Sequence, residues 1–253
     1  MPGETTTCAI HQPNFLPRLS TLAKLYAADH WVVLDDVQFT RRDYQHRCRL
    51  IPLATRPTNQ REMPQQWLSL PVHLPHGQAS LINEVSLVDA KRERRRIPGV
   101  LYQFYRGGAD PRALSTVAAQ IAAALESSNR LLDVSEASTL ALLNLLGWPG
   151  THSRSSDFTV RRGRSERLTD LTARIGADLY LCGRGGAKYL DERPFADQGI
   201  TVSYIRPVQD PAAPTDPRVT CLHTLMTLGV DELRSLLIEH GRLNSQPNLA
   251  TGV

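Results

Sequence analysis

The sequence predicts an α/β fold with a mixed, mainly parallel, Rossmann-like sheet, an antiparallel insertion over 48–88 and a helical subdomain over 90–147. Short β-branched, apolar runs alternate with stretches at helical spacing at both ends of the chain. Between them come extended runs broken by Pro, Gly and Gln, then two alanine- and leucine-rich helical patterns. The 253 residues are 41% hydrophobic and 21% charged, ordinary values for a globular chain, which excludes a disordered or fibrous one. Residues 1–243 are expected to form a single α/β domain and 244–253 a disordered tail.

The elements follow in order. Residues 6–10 read as a short buried strand, and Pro13 and Pro17 punctuate the loop after it. Leu19, Leu22, Ala23, Leu25 and Tyr26 fall at helical spacing, and His30 to Leu34 is a second strand running into Asp35 and Asp36. A strand, helix, strand unit of this kind makes the two strands parallel neighbours, so the first loop and the acidic strand end meet at one edge of the sheet. Arg49 to Pro52, Trp67 to Val72 and Ile82 to Leu87 read as an antiparallel meander or edge excursion, followed by a basic run from Lys91 to Arg96. Two helices fill 110–146 with a break near Ser127, Ser128 and Asn129. The chain then returns to α/β: extended over 151–158, helical over 165–176, strands at 178–181 and 201–205, a proline-rich loop over 207–217, and helices near 222–228 and 231–240.

No apolar stretch is long enough to span a membrane, and Met1 to Thr7 lacks a signal-peptide pattern, so a soluble cytoplasmic protein without membrane partners is expected. Cys8, Cys48, Cys182 and Cys221 are scattered with no Cys-x-x-Cys pair, which predicts free thiols rather than disulfides or a zinc ribbon. Lys plus Arg number 29 against 25 Asp plus Glu; a net charge of +4 is too small to indicate nucleic acid.

Ala9-Ile-His-Gln-Pro-Asn-Phe-Leu-Pro17, Val33-Leu-Asp-Asp-Val-Gln-Phe39 and Arg42-Asp-Tyr-Gln-His-Arg47 together resemble the WbqC-like family of bacterial proteins. Further matches lie at Trp67 to Val72, Ile82 to Val85, Ser155-Ser156, Gly183 to Leu190 and Leu222 to Gly229, so the resemblance covers nearly the whole chain. It implies an accessory enzyme of surface-polysaccharide or natural-product gene clusters that transfers glycine or another aminoacyl group to an amine. The chain departs from the family pattern at Arg18, where an aromatic residue is usual, His46 for Asn, Cys182 for Ser, and in the segment around Thr215 to Arg218. A different substrate from a polysaccharide member's is therefore expected.

His11 is the best acid–base candidate, since an imidazole titrates near neutrality and a loop at the carboxyl end of the first parallel strand is a common ligand position. The plain alternative is a structural histidine bonded to backbone. Asp35 and Asp36 point to opposite sides of their strand, so one of them, with Asp36 preferred, orients His11 or binds the amine; both otherwise form the turn. Gln38 follows with an amide for a carbonyl or amine. Arg47 suits a carboxylate or phosphate, or else pairs with Asp43 or Asp36. Ser155 and Ser156 cap a helix or bind ligand, and Cys182-Gly-Arg-Gly-Gly186 is similar to a glycine-rich anion loop or is a tight connection to Tyr189. Gln12, Asp35, Gln38, Arg47, Ser155, Ser156, Gly183 and Tyr189 are the expected substrate-binding set beside catalytic His11 and Asp36. Thiol catalysis through Cys8 or Cys182, and a metal site from His11, Asp36 and His46, rank lower.

Three functions fit this set. The first is an amide-forming acyl or aminoacyl transferase using a thioester donor, with His11 as base and the Lys91 to Arg96 run docking an acyl or peptidyl carrier protein. The second is a nucleotide-dependent ligase or nucleotidyltransferase, superficially similar to pantothenate synthetase-like enzymes but with one His for their two. The third is a non-catalytic binding protein of a biosynthetic complex. No cofactor or metal is assigned.

Overall fold

A computed structural model describes residues 5–53, 65–183, 185–186, 188–208 and 216–244. Of the expected tail over 244–253, Asn244 is instead the buried last residue of a helix, and 245–253 lie outside the described residues, as do 209–215 of the proline-rich loop. The chain is α/β, as its periodicities predict. β1 (Thr7–His11), β2 (His30–Val33), β7 (Thr151–Arg154), β8 (Leu179–Cys182) and β9 (Thr201–Tyr204) form one sheet in the order β7-β2-β1-β8-β9. Every neighbour pair in it is parallel. Counted along the chain, the order is third, second, first, fourth, fifth, and the direction of winding reverses between β1 and β8.

Alternation of side chains across the strands explains why both faces are apolar. Ala9, Trp31, Val33, Leu179 and Leu181 enter the larger core, while Cys8, Ile10, Val32, Tyr180 and Cys182 enter a second one on the opposite face. The larger core packs against α1 (Leu19–Tyr26), α2 (Ala90–Tyr105), α3 (Pro111–Ser127), α4 (Leu131–Leu145), α7 (Cys221–Leu228) and α8 (Val230–Asn244). The second is closed by α5 (Arg164–Ile175) and α6 (Arg193–Asp197), through Leu171 and Phe195. Eight residues are too few for α1 to be stable alone. Its Leu22 and Leu25 are buried, each contributing roughly 1.5–3 kcal/mol, so packing rather than propensity makes the helix.

Caps set the boundaries of the helical region. Asp89 accepts a hydrogen bond from the Arg92 N–H at 2.8 Å, and Asp110 accepts from the Ala113 N–H at 2.9 Å with Pro111 next in line. The Lys91 to Arg96 run is the first half of α2. The insertion over 48–88 is antiparallel as expected, built as two separate pairs rather than one meander. β3 (Arg47–Leu50) pairs with β4 (Gln66–Ser69), and β5 (Val72–His73) with β6 (Ser86–Leu87). Pro71 has no N–H to donate and breaks the run between β4 and β5, and Ile82–Glu84 is a 3-10 turn rather than extended chain. Among the described residues, no helix is long and apolar enough to cross a membrane.

The two strands flanking the reversal part company. β1 and β8 pair only at Thr7–Leu179 and Cys8–Tyr180, whereas β1 and β2 stay in register through His11–Val33. The gap that opens toward the carboxyl ends of β1 and β8 leads into a cleft.

Candidate functional site

A cleft of about 860 Å³ lies at this parting, where open α/β sheets characteristically bind ligands. His11 and Gln12 line it from β1 and the loop beyond, Arg18 from the N-cap of α1, Thr21 and Lys24 from the helix itself, Arg164 from α5, and Gly183 and Tyr189 from the loop after β8. Arg18, Lys24, Arg164 and Arg206 are its cations, and Asp43 is the one carboxylate among the described lining residues.

The β1–α1 loop that carries the site is held from α4. Ser138 Oγ accepts from the Leu16 N–H at 2.9 Å, and Thr139 Oγ1 donates to the Asn14 carbonyl at 3.0 Å. Leu16 has φ of +50°, a conformation costing on the order of 1–3 kcal/mol for such a side chain, and this clamp retains it. His11 Nδ1 lies 2.7 Å from the Gln12 carbonyl, which makes Nδ1 the protonated nitrogen; Nε2 has no hydrogen bond among the described residues. Burial, then the nearby Lys24 charge, pushes the imidazole down to about 3, so the ring is neutral at physiological pH. Gln12 is oriented by a relay: Gln45 Oε1 accepts from the Thr40 N–H at 2.9 Å, and Gln45 Nε2 donates to Gln12 Oε1 at 2.8 Å. The Gln12 amide thereby keeps its NH₂ as a donor.

Lys24 is the residue that sequence reasoning missed. It is 5% exposed, and its Nζ donates to the Ile10 carbonyl at 2.9 Å. The Thr6 carbonyl faces β8, accepting from the Leu179 N–H, while the Thr7 and His11 carbonyls face β2, accepting from the Asp29 and Leu34 N–H groups. By this alternation the Ile10 carbonyl faces the gap, and the lysine fills the place of the missing strand bond. Burial pulls the ammonium down to about 8, against the opposing influence of the Cys182 and Cys8 thiols. Gln45, Arg164 and Arg206 were missed as well. Gln45 stands inside a motif already singled out, but Lys24 carried no signal beyond a charge on an otherwise buried helix.

The remaining predicted residues lie outside the cleft lining. Asp35, 1% exposed, accepts from Ser155 Oγ at 3.0 Å and from the Ser156 N–H and Oγ at 3.0 and 2.7 Å, tying the end of β2 to the turn after β7. Asp36 pairs with Arg167 and accepts from Ser155 Oγ. The sequence neighbours Leu34 and Leu168 do line the cleft, which puts this carboxylate cluster beside its wall. Gln38 Nε2 donates to the Gln78 carbonyl at 2.7 Å. Arg47 donates to the Asp43 and Arg42 carbonyls and lies 4.2 Å over the Trp67 ring.

All four cysteines are free and buried. Burial holds the Cys8 thiol up at about 12 and raises Cys182, so neither forms a thiolate readily at neutral pH. Gly186 folds the loop back so that its N–H donates to the Gly183 carbonyl at 2.9 Å. A Cβ on Gly186 would stand 2.9 Å from Cys182 Sγ, so the close turn requires glycine. No group of three or more metal-ligating side chains occurs among the described residues.

The WbqC-like protein family matches over residues 12–235. An uncharacterized protein of Mycobacterium tuberculosis, Rv1507c, is 25% identical over 229 residues, covering 88% of this chain and 94% of its own. No solved structure matches.

Proposed function

Since this chain belongs to the WbqC-like protein family, we propose that its cleft is the active site of an amide-forming acyl or aminoacyl transferase that uses a thioester donor. The observation that carries the reading is a neutral histidine on the wall of a cationic cleft at the sheet's reversal point, with Nδ1 tied to backbone and Nε2 without a hydrogen-bond partner among the described residues. The acceptor amine attacks the thioester carbonyl, forming a C–N bond and a tetrahedral adduct with a positive nitrogen and a negative oxygen. His11 Nε2 takes the proton from that nitrogen and returns it to the departing thiolate as the C–S bond breaks. A base with so low a pKa is unsuited to deprotonating a free ammonium ion. It suits the far more acidic ammonium of the tetrahedral adduct. The Gln12 NH₂ stabilises the oxyanion, and Asp36, Asp35, Ser155 and Ser156 brace the strand end beside the wall. The exclusion of thiolates by burial favours direct transfer over an acyl-cysteine route.

The donor's carrier protein docks on the exposed face of α2. Arg94 pairs with Glu126 and Arg96 with Glu93, but Lys91, Arg92 and Arg95 have no ion pair among the described residues and suit an acidic partner. Surface-polysaccharide or natural-product biosynthesis in the cytoplasm is the setting this chemistry fits. A nucleotide-dependent ligase is the second reading, favoured by the strand order and the cleft's cations. The test is to incubate the protein with glycyl and acetyl thioesters of pantetheine, free and carrier-bound, and a panel of amines including amino sugars, reading N-acyl product by mass spectrometry. Product formed in excess over enzyme supports transfer. Product formed only with ATP and magnesium and the free acid supports the ligase, and no product under either condition rejects both.

A further inference from the structure

We infer that the floor of the cleft is an anion subsite, in which Lys24 and Arg18 on α1 hold a phosphate or diphosphate group of the donor. It depends on the transferase reading only for the name of that donor. The ammonium of Lys24 is almost wholly buried, and no carboxylate pairs with it among the described residues. Its one hydrogen bond among the described residues, to the Ile10 carbonyl, needs a donor but not a charge; a neutral amide would serve. Burying an ammonium without a counter-ion is costly, so a lysine here is explained by a negative group that enters the cleft and supplies the missing charge.

The surroundings fit such a group. Arg18 stacks 4.3 Å over the Tyr44 ring, and its buried Nε has no hydrogen-bond partner among the described residues. Thr21 and Lys24 are one helical turn apart on α1 and both line the cleft, as does Ser20. The first turn of α1 carries no acidic residue to repel an anion. Gly183 presents bare backbone to this lysine: a Cβ there would stand 3.9 Å from Lys24 Nζ, so any side chain at 183 would crowd the ammonium. Phosphate chemistry is shared by two donor classes, nucleotides and phosphopantetheine thioesters, and both carry a diphosphate in their common soluble forms.

The experiment is isothermal titration of the full chain with sodium sulfate and with inorganic pyrophosphate, against Lys24→Gln and Arg18→Met. Lys24→Gln keeps a donor for the Ile10 carbonyl and removes only the charge. Affinity for pyrophosphate should fall at least about tenfold in Lys24→Gln, the effect of losing one charge-assisted contact, and by a smaller factor in Arg18→Met. Undiminished binding in folded Lys24→Gln, or no binding to the parent protein, overturns the proposal. Should Lys24→Gln fail to fold, acylation of Lys24 by an amine-directed reagent decides: sulfate must slow it in the parent protein, and equal labelling with and without sulfate overturns the subsite. ADP and coenzyme A then separate the sources. A preference for coenzyme A assigns a pantetheine donor, and one for ADP a nucleotide. Because binding is read without turnover, Lys24-dependent binding with no acyl transfer keeps the subsite while rejecting the transferase, and transfer without anion binding does the reverse.

Discussion

Replacing Lys24 by methionine should change the stability of the protein in opposite directions at neutral and alkaline pH. Burial lowers the ammonium from its usual value near 10.5 to about 8. Below pH 8 both folded and unfolded chains carry the proton, and the folded state bears the full cost of a buried charge. Between pH 8 and 10.5 the unfolded chain binds a proton that the folded chain has released, so stability rises with pH across that window. At roughly 1.4 kcal/mol per pH unit, the interval sets a scale of about 3 kcal/mol. Methionine fills a similar volume and removes that cost, but it gives up the hydrogen bond to the Ile10 carbonyl, worth about 1 kcal/mol. Lys24→Met should therefore be about 1–2 kcal/mol more stable than the parent at pH 7. Near pH 10.5 the lysine is neutral in the folded chain, and the variant should be about 1 kcal/mol less stable. Urea unfolding followed by tryptophan fluorescence at the two pH values measures both differences. A variant destabilised equally at pH 7 and pH 10.5 would refute the reasoning, because it would mean that the ammonium is not an uncompensated charge.

Acid should weaken the fold through His11. The unfolded chain takes up its proton below about pH 6.5 and the folded chain only near pH 3, so stability falls with pH between those values, and His11→Gln should lose about 2–4 kcal/mol less than the parent over that range. Equal acid sensitivity in the two proteins would contradict the buried neutral imidazole. Asp35→Ala leaves the Ser156 N–H and Oγ without their acceptor, while Ser155 Oγ keeps Asp36, and should cost about 1–3 kcal/mol by chemical denaturation; a loss under about 0.5 kcal/mol would show that the bridge from β2 to β7 carries little. Gly186→Ala pushes a methyl against Cys182 Sγ and should cost about 1–3 kcal/mol. Adding Cys182→Ala should restore much of that loss, and strict additivity of the two changes would place the strain elsewhere.

The parallel unit of β1, α1 and β2 was legible because each piece declares its own period. The runs Cys8 to Ile10 and Trp31 to Val33 are β-branched or apolar, and Leu22 and Leu25 sit at helical spacing between them. The order of all five strands was not, since nothing local tells β8 to lie beside β1 rather than beside β7. The site divided the same way. His11, Gln12, Gly183 and Tyr189 line the cleft because position at a strand end is readable from sequence. Asp35 and Asp36 end a strand too, yet their carboxylates are taken by Ser155, Ser156 and Arg167, residues about 120–130 positions away whose approach depends on β7 pairing with β2. Lys24 escaped notice for a related reason. Its place follows from the Ile10 carbonyl being left unpaired by the parting of β1 and β8, a property of two distant segments rather than of the helix.

The single-turnover rate of acyl transfer by His11→Ala, measured at saturating thioester and amine beside the parent protein, tests the account at its centre. Loss of a general base typically removes about 10²–10⁴ in rate, and donor affinity should stay near the parent's because the anion subsite on α1 is untouched. A His11→Ala protein that is folded, binds the donor and transfers at the parent rate would contradict the assignment of His11 and, with it, the reading of the cleft as a histidine-based transferase site.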